Sequence, residues 1–146
     1  MVKNKVAIIL AVILIMGVVA ISGCTGSGSS SVNETTESTS SLNVSNLRVV
    51  SEGYGMYKVK ADIVPDKDYS YLEMVLIWYD ASGALIDKNS LAWNINDASE
   101  GKTIKVTGNG FLSGDETPAK VDVLFFDSVF SGGDESGAIY KETIEV

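Results

Sequence analysis

Tyr57-Lys58-Val59-Lys60-Ala61-Asp62-Ile63 sets apolar residues at every second position and charged residues between them. A period of two is that of a β-strand with one face in a core and the other in water. Two further stretches, 71–79 and 121–126, are apolar on both faces of such a strand, the pattern of central strands covered on each side. Shorter candidates lie at 45–50, at 84–95 with a bend near Asn89, at 102–107 and at 140–146. Turn signals separate them: Gly53 and Gly55, Pro65-Asp66, Asp80 through Gly83, Gly101, the glycines from Gly108 to Gly114, and Gly132-Gly133.

Seven short strands and no sustained helical stripe predict an all-β domain over residues 43–146, a seven-stranded sandwich of immunoglobulin or fibronectin type, with a small closed barrel as the alternative. Leu72, Met74, Leu76 and Trp78, with Val121, Val123 and Phe125, are expected to fill the space between the sheets. The 146-residue chain has one cysteine, so no intrachain disulfide can support the domain and packing alone must hold it.

The N-terminus reads as a processing signal. Lys3 and Lys5 precede an apolar run from Val6 to Ile21, which as a helix reaches about 24 Å, short of the ~30 Å hydrocarbon layer. Ile21-Ser22-Gly23-Cys24 resembles the lipobox of secreted lipoproteins. The resemblance implies cleavage after residue 23, a diacylglyceryl group on Cys24, and a mature protein on the outer face of the cytoplasmic membrane or the cell surface. Two acyl chains hold a protein durably where one does not. Residues 24–42 then form a tether, since 11 of the 17 residues from Thr25 to Ser41 are Ser or Thr and such a segment cannot bury a core. Asn33 and Asn43 open N-glycosylation sequons.

Leu76-Ile77-Trp78-Tyr79-Asp80, with Gly83 and Ala84-Leu85-Ile86 after it, is similar to the FxLYD domain, an Ig-like module of extracytoplasmic lipoproteins. Leu76 stands where that family has Phe and Trp78 where it has Leu, while Tyr79-Asp80 is kept. The likeness implies a binding or spacer module without catalytic residues.

The chain carries 11 basic and 19 acidic residues. Only Lys3 and Lys5 precede Cys24, so the part from Cys24 onward has 9 basic against 19 acidic residues, a net of −10. The single Arg48 and the lysines alternate with carboxylates along the chain, so nucleic acid is not an expected partner. With no histidine, Ser-His-Asp catalysis and His-ligated zinc are out of reach. No cofactor and no enzymatic activity are expected.

Two surfaces are candidates for binding. Tyr71, Glu73 and Tyr79 share the outward face of the 71–79 strand, which is either exposed to a protein or glycan partner or covered by adjoining chain, and Phe130 lies in a long loop suited to recognition. At one end of the sandwich three connections carry Asp66 and Asp68, Asp97 and Glu100, and Asp134 and Glu135, which together could hold Ca²⁺ or remain solvated loop charges. The expected role is a membrane-anchored, non-catalytic interaction or spacer module in the cell envelope. The alternative is a lipoprotein that binds a small ligand or divalent cation as accessory to a transporter.

Overall fold

The computed structural model describes residues 41–113, 116–132 and 134–146. Seven strands form two antiparallel sheets: β1 (Leu42–Gly53), β2 (Met56–Pro65) and β5 (Ile104–Phe111) in the order β1-β2-β5, and β3 (Tyr69–Tyr79), β4 (Leu85–Ala98), β6 (Lys120–Phe126) and β7 (Tyr140–Glu145) in the order β4-β3-β6-β7. This is the sandwich that the alternation predicts. The chain enters β1 at Leu42, which is buried. Tyr69 ties down the preceding residue by donating its hydroxyl to the Ser41 carbonyl at 2.8 Å. Burial, reinforced by the hydrogen bond to Asp66, raises that phenol to a pKa of about 12.

β3 and β6 are the central strands of the four-stranded sheet and are buried on both faces. Their inward residues Leu72, Met74, Leu76, Trp78, Val121, Val123 and Phe125 meet Val59, Ala61, Ile63 and Val106 of the other sheet. Trp78 donates its indole N–H to Asn89 Oδ1 at 2.7 Å, so burying the ring leaves no unpaired donor. Phe125 packs edge-on against Trp93 and Tyr140, with ring centroids at 6.3 and 5.9 Å. The outward residues Val75, Ile77, Leu124 and Phe126 form a second cluster, against which Ala138 of the β6–β7 connection packs.

The turn after β3 is built on Asp80. Its Oδ1 accepts from the backbone N–H groups of Ser82 at 2.8 Å and Ala84 at 2.9 Å, and Gly83 takes the positive φ of 84° that closes the loop. The hydrogen bonds from Ser82 and Ala84 hold the Asp80 carboxyl below the usual carboxylate range.

Two local expectations are corrected. The glycine-rich stretch from Gly108 is not all turn, because β5 continues through Gly108 and Gly110 to Phe111. Both glycines face the core where there is no room for a side chain: a Cβ on Gly110 would lie 2.4 Å from the Trp78 ring, and one on Gly108 would lie 2.5 Å from Met74 Sδ. The bend expected near Asn89 is a bulge. Asn89 pairs with Leu76 and Trp93 with Met74, so Ser90, Leu91 and Ala92 stand opposite the single residue Val75.

Gly110→Ala is expected to cost about 1–3 kcal/mol in urea unfolding, since overpacking against a rigid ring forces the sheets apart. Gly108→Ala costs less because the Met74 side chain can swing away. Equal costs would show that β5 does not rest on Trp78.

Candidate functional site

The outward face of β3 is covered by the β6–β7 connection, and Glu73 holds that cover in place. Glu73 is fully buried. Its Oε1 accepts from Ser131 N at 2.7 Å, and its Oε2 accepts from Phe130 N at 3.0 Å and from the Tyr71 hydroxyl at 2.9 Å. Three donors offset the desolvation of the carboxylate, which otherwise costs several kcal/mol. Burial and the bond to Glu73 raise the Tyr71 phenol above its ordinary value. Where the connection returns to the sheet, Lys141 bridges Asp122 at 3.0 Å and Glu135 at 2.6 Å. Asp122 also accepts from Thr143 Oγ1 at 2.5 Å and from the Tyr79 hydroxyl at 3.3 Å. Burial works to raise the Asp122 carboxyl, but the bonds from Thr143 and Lys141 outweigh it and leave the pKa below the ordinary 3.8.

Of the four residues that the sequence offers as an interaction surface, Tyr71 and Tyr79 are therefore half-buried and Glu73 is buried, while Phe130 stands 78% exposed. Phe130 adopts φ 56°, a conformation that an aromatic residue rarely takes and that costs about 1–2 kcal/mol. The buried carboxylate beneath holds it there through its own N–H.

Phe130 belongs to a longer apolar face along the open side of the sandwich, where the edge strands β4 and β5 approach each other. A cleft of about 410 Å³ is lined by Phe130, Gly132, Ser90 and Leu91. A second cleft, of about 420 Å³, shares Ser90 and Leu91 and continues to Asn89, Met56 and Phe111, with the Lys58–Glu52 ion pair on its border. The bulge in β4 lifts Leu91 to this surface, and Gly132 lets the connection close on it, since a Cβ there would meet Ser90 Cβ at 3.2 Å and Val75 Cγ2 at 3.3 Å. Phe111 is 61% exposed, and Leu91 and Met56 are also exposed. Met56 follows a two-residue turn in which Tyr54 and Gly55 both have positive φ, at 54° and 75°, the geometry of a type I′ hairpin. Tyr54 is 97% exposed. Among the described residues two bulky aromatics, Tyr54 and Phe130, are thus held in the left-handed region and turned to solvent. The sequence reading missed Leu91, Met56 and Phe111; the signal available was Phe111-Leu112, where the exposed aromatic precedes a buried leucine.

The six acidic residues at the opposite connections do not converge. Asp66 accepts from the Tyr69 hydroxyl at 3.1 Å, and Asp68 accepts from Glu100 N at 2.8 Å. Asp68 and Asp97 line one cleft, whereas Asp134 caps a single 3-10 turn through Ser136 N at 2.9 Å and Glu135 pairs with Lys141. The bonds from Ser136 keep the Asp134 carboxyl below the usual range. Among the described residues, no group of three or more carboxylates stands close enough to hold a metal ion. Asn43 is exposed on β1, while Cys24 and Asn33 lie outside the described residues.

No protein-family model matches the chain, and no curated protein sequence matches it. Among solved structures it is similar to the GH3 β-glucosidase of Bifidobacterium adolescentis, with a TM-score of 0.42 and 11% identity over 72% of this chain and 17% of that one. It is likewise similar to β-glucosidase 3B of Thermotoga neapolitana in complex with glucose, with a TM-score of 0.39 and 12% identity over 73% of this chain and 16% of that one. The chain spans about a sixth of the length of these enzymes, and the likeness assigns it no activity.

Glu73→Gln puts an amide donor against a backbone donor and is expected to lower stability by about 1–3 kcal/mol in denaturant unfolding; an unchanged midpoint would remove Glu73 as the anchor of the connection. Asp122 gives a pH signature. Its folded pKa lies below the unfolded value, so its contribution is full above the carboxylate range and fades as pH falls through the folded pKa. Asp122→Asn should therefore cost about 1–2 kcal/mol at pH 7 and approach the parent chain in acid; a gap that stayed constant as acid protonates the carboxylate would contradict this.

Proposed function

We propose that this chain is a lipid-anchored extracytoplasmic protein whose sandwich is a non-catalytic interaction module, and that it engages its envelope partner through the exposed apolar residues Met56, Leu91, Phe111 and Phe130 that line the two adjoining clefts. The observation that carries the reading is Phe130: a strained backbone and a buried carboxylate are spent on keeping an aromatic ring in water. Strain of this kind collects where a surface must be presented in one shape, and exposed aromatic and methionine side chains around a cleft are the usual content of a binding surface. The lipobox-like Ile21-Ser22-Gly23-Cys24 and the likeness to FxLYD domains support the anchored, extracytoplasmic setting. The lack of any histidine in the chain supports a non-catalytic role.

Phe130→Gly separates display from structure. Glycine adopts φ 56° freely, so the variant should match the parent or exceed it by up to about 1 kcal/mol in unfolding. A photo-crosslinker placed at Phe111 of the full chain in its own envelope should yield one reproducible adduct that Phe130→Gly removes. A destabilised variant with the adduct intact would make Phe130 a structural residue and overturn the proposal.

A further inference from the structure

The outer face of the three-stranded sheet gathers positive charge on a strongly acidic protein. Along the chain Arg48 and the lysines alternate with carboxylates, but strand pairing places Arg48 of β1, Lys58 and Lys60 of β2 and Lys105 of β5 on one face. These are four of the nine basic residues that follow Cys24. Lys58 is paired with Glu52 at 2.7 Å. Among the described residues Arg48, Lys60 and Lys105 have no carboxylate within ion-pair distance, and with Asn46, Asp62 and Thr107 they line a cleft of about 330 Å³.

The local geometry leaves most of this charge uncompensated, although Asp62 is the direct cross-strand partner of Lys105. Arg48 and Lys60 are direct cross-strand partners, and like charges so placed weaken a sheet. A bulge puts Arg48 there: Ser45 pairs with Asp62 and Arg48 with Lys60, so Asn46 and Leu47 both stand opposite Ala61, and the extra residue turns Arg48 to the outer face. Within the bulge Asn46 has φ 55°. Its carbonyl accepts from Arg48 Nη1 at 3.0 Å, and its amide Nδ2 donates to Asp62 Oδ2 at 2.8 Å. The one carboxylate in the cleft is thus engaged by a neutral amide, and the guanidinium by a neutral carbonyl. Three cations against one carboxylate leave two positive charges facing an open cleft.

We propose that this cleft binds a phosphate group, with Arg48, Lys60 and Lys105 as its ligands. A guanidinium fork and two ammonium groups suit a tetrahedral dianion. No aromatic side chain lines the cleft, so there is no platform on which a base or sugar ring would stack, and the recognised chemistry is the phosphate itself. It is supplied either by an anionic lipid headgroup or by a soluble phosphate. The site shares no lining residue with the clefts beside Leu91 and needs neither Cys24 nor Phe130.

Lysine acetylation of the full chain, read at each lysine by mass spectrometry, tests the proposal. In nonionic detergent, inorganic phosphate added at constant ionic strength should slow labelling of Lys60 and Lys105 several-fold and saturably, leaving Lys67 and Lys88 unchanged. In a second arm the chain sits in phosphatidylcholine vesicles with or without phosphatidylglycerol and no free phosphate. Selective protection of Lys60 and Lys105 in that arm identifies a headgroup as the source, and protection in the first arm alone identifies a soluble phosphate. Arg48→Gln should abolish the effect with an unchanged or raised thermal midpoint, and Lys105→Gln, on the exposed edge strand, is the second variant. Protection in neither arm, equal slowing of all lysines, or an effect that survives both substitutions overturns the site.

Discussion

A strand buried on both faces needs a cover as well as a core, and in this protein the cover is fastened by one carboxylate. β3 supplies Leu72, Met74, Leu76 and Trp78 to the space between the sheets and Val75 and Ile77 to the opposite side. Left open, that opposite side would expose an apolar stripe in the middle of the sheet. The β6–β7 connection lies over it because Glu73 accepts the N–H groups of Phe130 and Ser131, and because Lys141 ties Glu135 of the same connection to Asp122 in β6. The same bonds that close the sheet also fix where Phe130 emerges. Glu73 thus holds both the cover of the sheet and the backbone from which Phe130 projects.

The sandwich was legible in the sequence because its strands obey a local rule. Alternation in 57–63 and two-sided apolar character in 71–79 and 121–126 identify half-buried and central strands without knowledge of any partner, and the inward set from Leu72 to Phe125 follows from parity. What the sequence withheld depends on non-local pairing. Gly108 and Gly110 read as turn residues, and only the approach of Met74 and Trp78 explains why a strand needs glycine there. Glu73, a lone carboxylate in an apolar stretch, was visible as an oddity, but the backbone donors it holds lie nearly sixty positions away. The acidic connections read as one cluster because parity brings their loops to the same end, yet Asp134 and Glu135 are taken up by Ser136 and Lys141. Likewise, Arg48 and Lys60 are twelve positions apart and adjacent only through a bulged register.

The surface that results changes in character along the fold. Exposed apolar side chains line the β4–β5 opening and reach the outer face of the three-stranded sheet at Met56 and Phe111; Arg48, Lys60 and Lys105 lie farther along that same face; and carboxylates dominate the connections by Asp68 and Asp97. A net charge of this size keeps a small domain soluble and away from itself, so an apolar face can be tolerated on it.

Amide hydrogen exchange of the unmodified chain tests the central claim most directly. If Glu73 fastens the connection, the N–H groups of Phe130 and Ser131 will exchange as slowly as those of β3, although they belong to a loop without strand pairing. Exchange at the rate of an open loop, with β3 fully protected, would mean that the cover is not held and that Phe130 is not displayed by design of the fold.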